Sequence, residues 1–154
     1  MSDTDQTLSK AQSYCAYQER CQEEVRSKLH NWGLASEAVE STITQLINDG
    51  FLNEERFAIA YAGGKFRIKK WGRIKIKLEL KKRKISEYCI KQAMSTIEEQ
   101  AYLQTLKKIL EEHAKKTKQI SPIKQNYVLG RFAISRGFEP EIVWALRNFF
   151  QRLN

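Results

Sequence analysis

The feature that most constrains this 154-residue chain is that its apolar register repeats. Val25, Leu29, Leu34, Val39, Ile43 and Leu46 return 51 residues later as Ile76, Leu80, Ile85, Ile90, Met94 and Ile97. A further shift of 53 residues gives Leu129, Ala133, Phe138, Val143, Arg147 and Phe150, one polar residue among five apolar ones. Self-similarity at such a period is the mark of one supersecondary unit copied along the chain, each copy burying its apolar face against its neighbours. The expected organisation is three units, 1–52, 53–97 and 98–154, of three helices each, forming together one elongated all-α domain.

Local punctuation supports helices. Ser36 before Glu37 and Asn53 before Glu54-Glu55 read as N-caps with acid in the first turn, and Ser121-Pro122 and Glu139-Pro140-Glu141 place proline where helices begin. Gly33, Gly50 and Gly137 stand where helices should stop, each followed by an apolar residue (Leu34, Phe51 and Phe138), as left-handed C-terminal caps usually are. Segments near 8–18, 54–68 and 98–116 supply the first helix of each unit. Gly63-Gly64 is expected to bend or break the second of these before Lys65.

One stretch reads differently. Ile74 to Lys81 alternates apolar and charged residues, which is the strand pattern. No second alternating run offers it a partner, and a lone strand leaves its backbone groups unpaired. The segment is therefore expected to be helical. At 100° per residue, Lys70, Arg73, Lys77, Lys81 and Lys84 fall on one stripe, with Ile76 and Leu80 on one side and Trp71, Ile74 and Leu78 on the other. A helix apolar on two sides is expected to be wedged between two neighbours.

Charge singles out the same segment. The net charge is +9, yet residues 65–84 alone hold eleven cations (Lys65, Arg67, Lys69, Lys70, Arg73, Lys75, Lys77, Lys81, Lys82, Arg83, Lys84) against one acid, Glu79. The first 64 residues carry 5 basic and 10 acidic side chains, so the first unit is acidic and the second strongly basic. A helix face that only needs to be soluble mixes signs. Eleven cations interleaved with Phe66, Trp71, Ile74 and Leu78 suit phosphates and bases, or an acidic protein surface.

Other classes find less support. Apolar runs are only a few residues long, far below the roughly 20 that span a bilayer, and Met1-Ser2-Asp3-Thr4-Asp5 is acidic where a signal peptide is basic. The expected setting is cytoplasmic, with no membrane partner. Cys15, Cys21 and Cys89 have no C-x-x-C spacing and are expected reduced and partly buried. His30 and His113 lie in ordinary helical contexts, and the pairs Glu54-Glu55, Glu98-Glu99 and Glu111-Glu112 diverge by about 100° on a helix. Gly63-Gly64 lacks the pattern of a phosphate loop. No catalytic residue, cofactor or metal is expected.

The phrase Asp49-Gly50-Phe51-Leu52-Asn53-Glu54-Glu55-Arg56-Phe57-Ala58, followed by Tyr61, the basic run to Trp71-Gly72, Ile76, Glu79-Leu80 and Lys84-Ile85, resembles the RecX family of recombination regulators. Cys21-x-x-Glu24-Val25-x-x-Lys28-Leu29 is similar to the family's phrase in the first unit. Arg131-Phe132-Ala133-x-x-Arg136-Gly137-Phe138 is similar to the one in the third. The resemblance runs from about residue 10 to 97 and from about 127 to 150. Cys21, Asn53, Trp71, Ala133 and Lys84 depart from the usual residues. Lys84 stands where a glycine often closes a helix, and lysine in the left-handed region costs about 1 kcal/mol relative to glycine.

The resemblance implies a non-enzymatic protein, acting as a monomer in DNA repair and the SOS response. It would bind the RecA recombinase filament on single-stranded and, secondarily, double-stranded DNA, and most often inhibit its growth, ATPase and strand exchange. Under it Lys65, Arg67, Lys69, Lys70, Arg73, Lys77, Lys81, Lys82 and Lys84 contact DNA or recombinase. Gly50, Phe51, Leu52, Arg56, Phe57, Ala58, Tyr61, Gly72, Arg136 and Gly137 are mainly structural. Charge alone equally supports a free-standing helical-repeat module that binds nucleic acid without a recombinase.

Overall fold

The computed structural model describes residues 3–153, and side chains from 4 to 146. Met1 and Ser2 of the polar N-terminus lie outside the described residues, as do the side chains of Arg147 and Phe150, the last two positions of the repeat register. The described residues are all-α. The elements are α1 (Asp3–Tyr17), α2 (Gln22–Asn31), α3 (Ser36–Asn48), α4 (Glu54–Gly64), α5 (Arg73–Lys82), α6 (Glu87–Ser95), α7 (Glu99–Lys116), α8 (Pro122–Ser135) and α9 (Pro140–Leu153). A π-helical turn, Lys65–Lys69, extends α4.

The repeat is most visible where helices stop. After α2, Gly33 (φ 89°) donates to the His30 carbonyl and Leu34 to that of Leu29; after α8, Gly137 (φ 96°) donates to Ile134 and Phe138 to Ala133. Lys84 (φ 59°) does the same after α5, donating to Lys81 while Ile85 donates to Leu80. These are one Schellman closure at three positions of the register: a left-handed residue turns the chain, and the apolar residue after it folds back on the last turn. Lys84 thus adopts the glycine geometry despite its Cβ.

Helix starts follow the cap logic with one adjustment. Asn53 Oδ1 accepts from the Arg56 amide at 2.8 Å, and Ser121 Oγ from that of Lys124 ahead of Pro122. Ser36, expected as a cap, is instead the first residue of α3; Ala35 holds the cap position with no side-chain acceptor. Cys21 caps α2 without a side-chain hydrogen bond, as expected of a thiol.

Contacts divide the chain into two compact units. In the first, residues 1–61 and 80–93, helices α1, α2 and α3 pack on one another around Ala11, Val25, Leu29, Val39, Ile43 and Leu46. In the second, residues 62–79 and 94–154, α7 packs on α8 and α8 on α9. Its fully buried aromatic pair is Tyr102 and Phe138, with ring centroids 5.0 Å apart, and Phe66 lies 5.8 Å from Tyr102 on another side.

Two expectations need correction. Gly63-Gly64 does not break the helix: Gly64 is helical, and the chain only widens into the π turn. Nor is α5 buried on two sides. Ile76 and Leu80 are fully buried, but Ile74 and Leu78, roughly opposite them on the helix, are 48 % and 52 % exposed. Alternation put apolar residues on both faces of α5; among the described residues only one face is covered.

Candidate functional site

The basic segment is built around a change of helical winding. The π turn ends at Lys70, whose left-handed backbone (φ 56°, ψ 45°) closes it, and the Trp71 amide reaches back to the Lys65 carbonyl at 3.2 Å. Gly72 then donates to the Arg136 carbonyl at 2.8 Å and Ile74 to that of Gly137 at 2.9 Å, tying the start of α5 to the end of α8. Lys70 therefore stands in the turn before α5 and Lys84 in the turn after it. The expected five-residue stripe is a helical stripe only at Arg73, Lys77 and Lys81.

Arg73 is committed inside the protein. Its guanidinium donates to Glu139 at 2.8 Å and to Glu99, and lies 3.7 Å above the Tyr102 ring. Its amide donates to the Tyr102 phenol oxygen at 2.9 Å, while that phenol donates to the other Glu139 oxygen. Only 17 % of the Arg73 side chain is exposed. Burial works to raise the Glu139 carboxyl, but the bonds from Tyr102 and Arg73 outweigh it and hold the group below its ordinary value. Burial, together with the bond to Glu139, pushes the Tyr102 phenol far upward. Arg73 thus anchors α5 to α7 and to the start of α9.

The remaining cations are placed differently. Lys65 and Lys75 lie over the Trp71 ring at 5.0 and 4.6 Å, so this indole already carries two cations. In the first unit Arg83 lies 4.8 Å over Tyr61 and 4.0 Å from Glu24, and Lys84 lies 3.6 Å from Glu23. Arg67, Lys69, Lys77, Lys81 and Lys82 are exposed, and Lys70 is half-buried.

The motif residues of the first unit make contacts within the protein. Arg56 pairs with Glu19 and donates to the Gly50 carbonyl at 3.1 Å, locking the turn in which Gly50 (φ 81°) closes α3. Phe51 packs against the core, and Leu52, Phe57 and Ala58 are buried, with Tyr61 5.7 Å from Phe57. In the second unit Arg136 donates to the Lys69 carbonyl at 3.3 Å. A Cβ on Gly72 would overlap the backbone of Gly137 and Phe138, and one on Gly137 would lie 2.7 Å from the Lys75 nitrogen.

No group of side chains suited to a metal ion occurs among the described residues. Cys15, Cys21 and Cys89 are free and buried; burial pushes the Cys21 thiol up to about 11, so it stays protonated. Among the described residues, no helix is long and apolar enough to cross a membrane. The network of Arg73, Tyr102, Glu99 and Glu139 was not foreseeable from spacing. Its one sequence trace is Glu139 beside Pro140, read there only as a helix start.

Repeated Schellman closures, helices along the described residues and a cation-rich segment around one π turn define an all-α helical-repeat protein with a strongly basic middle segment. Residues 53–94 match the family profile of RecX, second three-helix domain. The regulatory protein RecX of Thermotoga petrophila is 28 % identical over 94 % of this chain and 84 % of that protein. A RecX of Bacillus cereus is 19 % identical over 85 % of this chain, which spans 48 % of that longer relative. The crystal structure of RecX from Lactobacillus salivarius has the same fold, with a TM-score of 0.85, 20 % identity and 97 % of each chain covered. Over most of its length the chain is thus similar to proteins named regulatory protein RecX, and residues 53–94 carry the match to that family.

Proposed function

We propose that this protein binds a RecA-type recombinase filament on DNA and restrains its growth, ATPase and strand exchange, without catalysis of its own. The observation that carries the reading is a coincidence of position: the family match covers 53–94, and the eleven-cation segment lies inside it. Exposed Arg67, Lys69, Lys77, Lys81 and Lys82, with Lys65, Lys70 and Lys84 beside them in sequence, supply positive charge for phosphates or for an acidic recombinase surface. Arg73 serves this face by holding α5 in place. The same reading takes 1–52, 53–97 and 98–154 as three repeats of a monomer acting in the cytoplasm.

The test is a single-strand-dependent recombinase ATPase assay with stoichiometric purified protein. A lowered rate and faster filament loss are expected; no change in either overturns the proposal. DNA binding alone separates it from a free-standing module. Each phosphate contact contributes about −0.7 to the log-log salt slope on single strands, so tight binding with a slope near roughly −3.5 and no effect on the recombinase would favour that module.

A further inference from the structure

Away from the basic segment, the second unit carries an open groove between α7 and α8. Its volume is about 530 Å3, and it is lined by His113, Tyr127, Val128, Arg131, Phe132 and Ser135, with no carboxylate among them. The family match ends at residue 94, so this groove lies outside it. Inside the groove, the His113 ring is parallel to that of Phe132, with centroids 3.9 Å apart and planes within 2°. The Arg136 guanidinium lies over Phe132 at 4.9 Å. Phe132 is thus already stacked, on a ring from α7 and under the Arg136 guanidinium.

Tyr127 is held differently: the Arg131 guanidinium lies 5.7 Å over its ring, and no ring stacks on it among the described residues. It is 56 % exposed, one turn before Arg131 on α8, and the Arg131 guanidinium donates to its phenol oxygen at 3.1 Å. That bond holds a cation at the rim of an exposed aromatic ring while burying little of either. A ring open to solvent, a fixed cation beside it and no lining acid form the combination on which unpaired bases stack while their phosphates are neutralised. Acidic peptides would use the cations but not the flat ring. Burial, and then Lys116 and Arg136, hold the His113 imidazole below its usual pKa, so the ring that floors the groove is neutral at neutral pH and adds stacking surface rather than charge.

We propose that this groove is a contact for single-stranded nucleic acid, separate from the basic segment, in which a base stacks on Tyr127 and a flanking phosphate passes Arg131. It does not depend on a recombinase partner. Stacking is indifferent to base identity because every base has a π face.

The test uses the full chain without recombinase and reads fluorescence anisotropy of labelled oligo(dT) and oligo(U) at several salt concentrations, with photo-crosslinking to halogenated pyrimidine oligonucleotides. Tyr127→Ala is expected to weaken binding by about fivefold or more, whereas Tyr127→Phe, which keeps the ring, binds as the native chain does. Arg131→Gln is expected to make the log-log salt slope shallower by about 0.7. Crosslinks are expected on the peptide containing Tyr127, and the tighter of the two oligonucleotides identifies the natural strand as DNA or RNA. Unchanged binding of Tyr127→Ala with an unchanged unfolding midpoint overturns the proposal, as do crosslinks confined to residues 65–84 or selective capture of an acidic peptide by the groove. Because no recombinase is present, these outcomes are independent of the ATPase result.

Discussion

Gly72 and Gly137 meet backbone to backbone at the start of α5 and the end of α8, so closely that a Cβ on either would collide with the other strand of chain. The Gly72 amide bonds to the Arg136 carbonyl and the Ile74 amide to that of Gly137, so two hydrogen bonds depend on this approach. The crossing also sets where Arg73 enters its network, since Arg73 immediately follows Gly72.

Glycine substitutions should therefore separate two kinds of cost. Gly33 and Gly50 have a left-handed backbone but open space around the missing Cβ, so alanine there should cost about 1 kcal/mol, the penalty of the conformation alone. Gly137→Ala meets the same penalty and a collision as well, and Gly72→Ala a collision with backbone that has no flexible end to move. Both should cost about 2–4 kcal/mol, the range of strained or overpacked sites. Urea unfolding of the four variants checks the order; equal losses at Gly33 and Gly72 would contradict it.

Lys84 gives the opposite sign. Its φ of 59° is what Gly33 and Gly137 supply at the equivalent places, and its ion pair with Glu23 is exposed and worth little. Lys84→Gly should raise stability by about 0.5–1 kcal/mol, the relief of left-handed strain less the added freedom of the unfolded chain. An unfolding midpoint that does not rise would mean that the Glu23 contact compensates fully.

The repeat was legible because its signals are local. Glycine before an apolar residue marks the stop, asparagine or serine the start, and the apolar register recurs at fixed distance, so helix identity and most of the buried positions up to Val143, with Leu34 and Met94 only half-buried, could be read from short windows. Arg73 could not, because its acceptors lie 26 and 66 residues away and only the tertiary fold brings them together. A charge count treats all eleven cations as equal, while the structure covers most of Arg73, puts Lys65 and Lys75 over Trp71 and leaves Lys77 and Lys81 exposed. Ile74 and Leu78 show the same limit, since period alone cannot say that a second apolar face finds no neighbour.

The Glu139 network makes stability depend on pH in a definite direction. Its folded carboxyl titrates below the ordinary value of 4.5, so its contribution is complete above about pH 4.5 and is lost as pH falls through the lower folded value. Glu139→Gln should lower stability at neutral pH and flatten that part of the acid limb. Tyr102→Phe removes the donor to Glu139 and the acceptor of the Arg73 amide together, and should cost about 1–3 kcal/mol. Unfolding midpoints measured between about pH 3 and pH 7 check both; parallel pH curves for native and Glu139→Gln proteins would rule out the linkage.

Arg73, Lys77 and Lys81 share a face of α5 yet should separate cleanly between stability and binding. Lys77→Gln with Lys81→Gln changes two exposed side chains and should leave the unfolding midpoint within about 0.5 kcal/mol, because surface substitutions without buried partners rarely cost more. The same pair should weaken binding to the recombinase filament or DNA several-fold, as two charge contacts disappear from the densest positive segment of the chain. Arg73→Gln leaves Glu139 without its cation in a mostly buried site and should cost about 1–3 kcal/mol of stability. Glutamine at Lys107, Lys108 and Lys115 removes more charge from α7 and serves as the control for net charge. If this control loses binding as sharply as the Lys77 and Lys81 pair, the field is diffuse and α5 has no special role. If Arg73→Gln instead keeps the native midpoint and loses binding alone, the arginine reaches the partner directly, and its bonds to Glu99 and Glu139 do not anchor the helix.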